Sequence, residues 1–305
     1  MTQMDKPLCG FLNVLKPPGM SSAHVVGAVR RMLGGAKVGH AGTLDPEASG
    51  VLPLMVGKAA RLFDYMQDKE KAYVTEVAFG AATDTQDAQG AAIATGENYP
   101  DDAAVLAALP AFTGAIMQTP PMYSAIKQDG KRLYQLARDG KEAEVPAREV
   151  TIHELTFRGL TANHGALLSV RCSKGFYVRT LCQDLGEHLG CPAHMRFLLR
   201  TQSGPFTLKT AHTLEALHEA AQNGTLKDML LPPEAALEHL PMTDVPKGLE
   251  KAVRNGGHLP WPRFEALHST PAAEGTPFGL WMDGALCAIA QRHGEHVKVR
   301  SWLAD

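Results

Sequence analysis

The 305-residue sequence predicts an α+β protein made of one large domain followed by a small β-rich one. Three observations lead there. Strand-like and helix-like apolar patterns are both present across the first 240 residues. The charge sign changes after Leu231-Pro232-Pro233, and prolines and glycines then recur through 241–277. Two short apolar runs, 278–290 and 296–303, close the chain. The predicted division is 1–239 and 240–305.

Taken in order, residues 11–15 (FLNVL) read as a short buried strand stopped at Lys16-Pro17-Pro18-Gly19, where proline fixes φ and glycine tolerates positive φ. A helix follows: Ser22 can cap it, Val25, Val26, Val29, Met32 and Leu33 repeat at helical spacing, and Gly34-Gly35 ends it. Residues 36–57 interleave glycines and two prolines with apolar residues, which suits a long structured loop, and loops of that length inside a domain are usually functional. Residues 72–79 return to strand character, 84–100 read as a polar, acidic surface excursion, and a short helix is expected at 102–109 after Asp101. Residues 130–140 predict a short amphipathic helix with Leu133, Leu136 and Ala137 on one face. Strands are expected at 148–158 and 166–172, the second running into Ser173-Lys174-Gly175. From about Tyr177 the apolar positions Val178, Leu181, Leu185 and Leu189 take helical spacing, closed by Gly190.

Composition narrows the class. Apolar residues make up 45% and charged residues 20%, and no stretch approaches the roughly 20 apolar residues of a membrane span. The start MTQMDKPLCG lacks the apolar core of a signal peptide, so a cytoplasmic location is expected. The five cysteines, Cys9, Cys172, Cys182, Cys191 and Cys287, are scattered and odd in number, which reads as reduced thiols. A net charge of −2 argues on its face against a nucleic-acid binder. The distribution is uneven, however: residues 1–75 carry +3, 76–120 carry −6, 121–210 carry +5 and 211–305 carry −4. Two basic segments are thus separated by an acidic one without Lys or Arg, which leaves room for a basic groove as well as for chance unevenness on a solvated surface.

Two constellations could carry chemistry. In GHAGTLDPEASG (39–50), Asp45 precedes a proline, follows Gly-Thr-Leu and lies five residues after His40. Asp-Pro is a common turn starter, so on this run taken alone a turn is the better reading than a site. In RCSKGFYVRT (171–180), Lys174, Tyr177 and Arg179 fall at a strand-to-helix join, where an aromatic ring and two cations could meet a base and a phosphate or carboxylate, or simply be solvated. Together the two segments supply what handling an unstacked base requires, and a carboxylate in a closed pocket needs a cation such as Arg179 to stay ionised. Cys182, His188, Cys191 and His194 do not have the spacing of a structural zinc site, and neither the phosphate-loop nor the dinucleotide fingerprint occurs.

The run Gly39-His40-Ala41-Gly42-Thr43-Leu44-Asp45-Pro46 resembles the catalytic motif of the TruB-type pseudouridine synthases, relatives of the dyskerin enzymes. Five further stretches agree in order: LKPPGMSS at 15–22, KAYVTEVAFG at 71–80, QTPPMYSAIKQDGKRLYQLARDG at 118–140, CSKGFYVRT at 172–180 and LGCPAHMRFLLRT at 189–201. The resemblance therefore spans about residues 10 to 235. It implies a curved mixed, mainly antiparallel sheet with flanking helices, and a C-terminal module similar to the PUA RNA-binding domain. It implies Asp45 as the catalytic carboxylate, Arg179 as its partner and Tyr73 as the ring that stacks on a flipped uracil. His40 would help fill the space the nucleotide vacates, Tyr177 and Leu198 would contact the base, and Lys16 would support the loop. The implied substrate is the T-arm stem-loop of tRNA, modified at uridine 55 in tRNA numbering, with no cofactor or metal and no obligatory protein partner.

Two departures from the family pattern stand out. Leu199 replaces the arginine usual between Leu198 and Arg200, which removes one phosphate contact, and Glu47 and Ser49 stand where Leu and Thr are frequent. Three rival readings remain: an RNA-binding or RNA-folding protein that needs no turnover, a guide-RNA ribonucleoprotein subunit, and a sugar or nucleotide hydrolase. The last usually requires two carboxylates, for which Glu47 is the nearby candidate.

Overall fold

The computed structural model describes residues 8–66, 70–123, 127–128, 131–132, 145–267 and 273–304. The elements that build the site are β1 (Gly10–Lys16), α1 (Ser22–Met32), β2 (Val38–His40), β3 (Ser49–Val56), β4 (Lys71–Phe79), β5 (Ala81–Thr83), β6 (Ala92–Thr95), α2 (Asp102–Ala108), β7 (Gly114–Gln118), β8 (Lys127–Gln128), β9 (Lys131–Arg132), β10 (Arg148–Thr161), β11 (Gly165–Cys172), α3 (Val178–His188), β12 (Ala193–Ser203), β13 (Phe206–Thr207) and α4 (Leu214–Gln222). A nine-stranded sheet runs β1–β3–β12–β4–β11–β10–β7, with β2 added to β3 and β13 to β12. The β3–β12 pairing is parallel and the others are antiparallel, so the sheet is mixed and mainly antiparallel.

Strand parity explains where each side chain goes. Leu12 and Val14 of β1 and Leu52, Leu54 and Val56 of β3 join one core cluster with Val25 and Val29 of α1, Val105 of α2, Leu181 and Leu185 of α3 and Leu217 of α4. The alternate residues Phe11, Val51 and Met55 enter a second cluster on the opposite parity, with Phe206, Leu237, Leu286, Ile289 and Leu303. Three of those residues belong to the C-terminal region, whose strands β14 (Met242–Asp244), β15 (Pro277–Met282), β16 (Ala285–His293) and β17 (His296–Trp302) form a separate four-stranded sheet. The second sheet therefore packs its apolar side against the first rather than hanging from a solvated linker.

Three sequence expectations change. Residues 36–57 are not one loop: they contain β2 and β3, and the irregular connection shrinks to 41–48. Seven of the eight β3 residues are buried, so the alternation that betrays a half-buried strand is missing. Ser21, not Ser22, caps α1, its side chain accepting from His24 N at 3.2 Å, while Ser22 turns inward. The excursion at 84–100 begins in a turn that reaches the site. The helix expected at 130–140 lies outside the described residues, apart from Lys131–Arg132, which pairs as a short strand with Lys127–Gln128.

The parallel β3–β12 contact also dictates one glycine. Gly50 has φ +111, and a Cβ there would sit 2.2 Å from the Arg200 carbonyl oxygen. Only glycine lets these backbones come this close. That approach brings β12, and Arg200 with it, against the connection that carries Asp45.

Candidate active site

Asp45 sits in the 41–48 connection, whose backbone is held by buried polar side chains from three elements. Arg200, fully buried on β12, donates from Nη2 to Gly42 O (3.1 Å), from Nη1 to Thr43 O (3.2 Å) and from Nε to Val51 O (2.7 Å). Lys16, fully buried at the end of β1, donates to Pro46 O (2.8 Å) and Pro17 O (2.7 Å). Ser22, at the start of α1, exchanges hydrogen bonds with both backbone groups of Leu44. A short stretch without regular structure thereby acquires a fixed path, because the carbonyls of Gly42, Thr43, Leu44 and Pro46 each accept from a buried side chain.

The Asp45 carboxylate meets Arg179, with Oδ2 3.0 Å from Nε. Arg179 lies in the first turn of α3 and is only 5% exposed. The rest of its guanidinium is bound too: Nη1 donates to Thr85 O (3.1 Å), Nη2 donates to Tyr123 O (2.8 Å), and Asp87 Oδ2 lies 3.8 Å from Nη1. The cation is thus immobilised before any ligand arrives, as a preorganised electrostatic partner must be. Asp87 is itself fixed, accepting at Oδ1 from Thr85 Oγ1 (2.7 Å) and Gln89 N (3.0 Å).

Crowding by protein raises the Asp45 pKa above the usual carboxylate range. Arg179 opposes the rise, nearby Asp87 adds to it, and Lys16 and Arg200 pull the other way. The carboxylate is recessed yet reachable, with 39% of its side chain exposed. Burial pushes the Tyr73 phenol up to about 12, Arg200 opposing, so the ring stays neutral at physiological pH. Burial lowers Lys16 to about 8 despite Glu47 and Asp45 nearby.

The structure brings Asp45, Arg179, Lys16 and Tyr73 into one electrostatic neighbourhood, with Arg200 directly across from Tyr73 in the β4–β12 ladder. His40 ends β2, half-buried. Leu198 is 7% exposed in the main core, and its carbonyl accepts from Ser49 Oγ at 3.5 Å, so the unusual serine at 49 ties the loop end to β12. The Tyr177 ring lies under the Arg148 guanidinium, 5.2 Å from centroid to Cζ. Glu47 is exposed, and Leu199 is half-buried beside Ser49 in the parallel pairing. Cys182, His188, Cys191 and His194 have separate environments: Cys182 approaches Thr75 Oγ1, His194 bonds Ala81 O, His188 packs on Phe112 and Cys191 is buried.

Sequence reasoning missed Asp87, Arg200 and the inward Ser22. Arg200 was within reach, because it follows Leu198 at the two-residue spacing of one strand face, directly after the apolar run Phe197-Leu198-Leu199. Asp87 carried no such signal inside an acidic stretch that looks solvated.

Comparison with known proteins fits this geometry. The model of the TruB family pseudouridylate synthase N-terminal domain matches residues 30–178, and that of the tRNA pseudouridylate synthase B C-terminal domain matches 179–238. The two meet at the Val178–Arg179 bond, inside α3, so that junction is not a break in the fold. The tRNA pseudouridine synthase B of Geobacillus thermodenitrificans (strain NG80-2) is 47% identical over 264 residues, covering 84% of this chain and 87% of its own. The Moorella thermoacetica (strain ATCC 39073 / JCM 9320) protein of the same name is 48% identical, covering 81% and 82%. Among solved structures, a Cbf5-Nop10-Gar1 complex contains a chain superposing with a TM-score of 0.73 at 25% identity, covering 100% of this chain and 91% of that one. An H/ACA RNP bound to a substrate RNA containing 2'-deoxyuridine gives a TM-score of 0.72 at 24%, covering 97% and 85%, which bears on the fold alone.

Fold and site together define an isomerase of the pseudouridylate synthase class. With relatives this similar over most of both chains, the protein belongs to the TruB family of pseudouridylate synthases.

Proposed function

We propose that this chain converts uridine 55 of the tRNA T-loop to pseudouridine, with Asp45 as the catalytic carboxylate. The relatives' shared name, tRNA pseudouridine synthase B, supports tRNA as substrate. The observation that carries the assignment is the 3.0 Å contact between a recessed, still accessible Asp45 and an immobilised Arg179. In the reaction the glycosidic bond breaks at N1 and a bond forms from the sugar to C5, so nothing is consumed and the residues must supply a nucleophile or base and hold the detached ring. Attack on the sugar, removal of a sugar proton and attack on the uracil each need the ionised carboxylate.

The target is stacked in folded RNA and must be everted at a cost of a few kcal/mol. In this reading Tyr73 offers a neutral ring for stacking, His40 occupies the vacated space, and Tyr177 and Leu198 border the base, while Lys16 secures the loop through Pro46. The division into a 1–239 catalytic domain and a 240–305 PUA-like domain is supported by the second sheet, whose strands all lie beyond Pro241. A cytoplasmic site of action accords with the substrate, and among the described residues no helix is long and apolar enough to cross a membrane.

The test is to treat a tRNA transcript with the purified chain alone and map pseudouridine, wild type against Asp45→Asn. Product at position 55 from wild type, none from the variant and retained tRNA binding are expected. Turnover by the variant would reject Asp45. A requirement for added proteins would reject autonomous action.

A further inference from the structure

Each partner of the Asp45–Arg179 pair is held by the same device. Ser22 Oγ donates to Leu44 O and accepts from Leu44 N, both at 2.9 Å, and Leu44 directly precedes Asp45. Gln118 Nε2 donates to Tyr177 O at 3.0 Å and Gln118 Oε1 accepts from Tyr177 N at 2.7 Å, with Tyr177 two residues before Arg179. Both side chains are almost fully buried, at 3% and 2% exposure. A group that binds the N–H and the C=O of one residue does what a neighbouring strand would do, and fixes the backbone on either side of it. Neither Leu44 nor Tyr177 belongs to a strand or helix, so neither has that restraint from regular structure. Tyr177 also stands at the N-cap of α3 without a side-chain cap, and Gln118 reaches it from the end of β7, the last strand in the sheet order.

We propose that Ser22 and Gln118 are a matched pair of positioning residues, one setting the place of the Asp45 carboxylate and the other that of the Arg179 guanidinium. The proposal rests on Asp45 being the catalytic group. Neither side chain is assigned a contact with substrate; they act through the two backbone segments. Because both set one distance, their effects share a single outcome: once either clamp is lost the pair is already misaligned, and losing the other changes less.

Single-turnover rates and tRNA dissociation constants are measured for Ser22→Ala, Gln118→Met, the double variant, Ser22→Thr and Asp45→Asn, with melting temperatures for all. Each clamp variant is expected to lose about 10- to 100-fold in rate, the scale of a misplacement near 1 Å, with tRNA affinity nearly unchanged. The double variant should fall well short of the product of the two losses. Ser22→Thr, which keeps the hydroxyl, should recover most of the rate. Wild-type rates in the clamp variants, fully multiplicative losses, or rates that fall only in step with melting temperature would overturn the proposal. If Asp45→Asn keeps its rate, the underlying catalytic reading fails instead. If Asp45→Asn is dead while the clamp variants are fully active, only the positioning role is lost.

Discussion

Arg179→Met removes the guanidinium that lies 3.0 Å from the Asp45 carboxylate. At an effective dielectric near 20, unit charges at that separation attract by roughly 5 kcal/mol. Because 39% of the Asp45 side chain is open to solvent, screening cuts the usable part to about 1–3 kcal/mol. At about 1.4 kcal/mol per pKa unit this is an upward shift of about 1–2 units. Asp87, left facing the same space without the shared cation, pushes in the same direction. Arg179 favours the ionised carboxylate, so its loss must move ionisation to higher pH. The single-turnover rate on a tRNA transcript, followed from acid to mildly alkaline pH, should therefore show its acid limb displaced upward by about 1–2 pH units relative to wild type. The height of the plateau will fall as well, but the position of the limb separates charge stabilisation from simple misalignment. An acid limb that stays in place, or moves down, would refute the account of Arg179 as the counter-charge that keeps Asp45 ionised.

Other perturbations follow from the same geometry. In Asp45→Asn the carboxylate's desolvation cost disappears. The folded-state pKa is raised, so relative to this variant wild type loses stability as pH rises through that value; at neutral pH the variant should melt no lower than wild type, with the difference vanishing below about pH 4. A clearly lower neutral-pH melting temperature would contradict the burial argument. For Lys16, the folded pKa of about 8 lies below the ordinary lysine value of 10.5, so the unfolded chain binds more protons between those values and stability should rise across that window. Urea unfolding should register up to about 3 kcal/mol of that rise in wild type and lose it in Lys16→Met; a slope unchanged by the substitution would refute it. Gly50→Ala forces a Cβ against Arg200 O at positive φ and should cost upwards of about 2 kcal/mol in urea unfolding; a loss under about 0.5 kcal/mol would show that β3 and β12 can part cheaply.

What could be read in advance depended on how each segment is solvated. Strand β4 and helices α1, α2 and α3 were legible because each buries one side, and Tyr73, Thr75 and Val77 alternate inward as period two requires. Strand β3 was hidden by burial on both faces, which erases that alternation. Ser21 and Ser22 are both competent caps, and the choice between them is made by Leu44, a tertiary partner 22 residues from Ser22. The Asp45–Arg179 pair was carried mainly by the family resemblance. Nothing local in either segment specifies the other, since 134 positions separate them and only the sheet order brings β12, β4 and the start of α3 beside the 41–48 connection.

The net charge was the weakest guide, and the structure gives the reason. In the acidic segment 76–120, Glu76 binds Arg196 and Thr161, Asp84 accepts from Ala91 N, Asp87 faces Arg179, and Asp101 caps α2. Four of its six acids are committed to internal donors and contribute less to the outer field than their count implies. The basic segments contain the same kind of interior charge in Lys16, Arg179 and Arg200, each 5% exposed or less. Segment sums therefore record the site's internal framework as much as the surface a polyanion meets, and neither sign of the total decides for or against RNA. This has a consequence for binding. Each phosphate neutralised by a surface cation adds about one unit to the slope of log affinity against log salt. No phosphate reaches the fully buried Lys16 amine, so Lys16→Met should leave that slope unchanged even if it slows the reaction. A slope reduced by about one in this variant would mean that Lys16 reaches RNA directly, and the reading of it as a loop support would have to be abandoned.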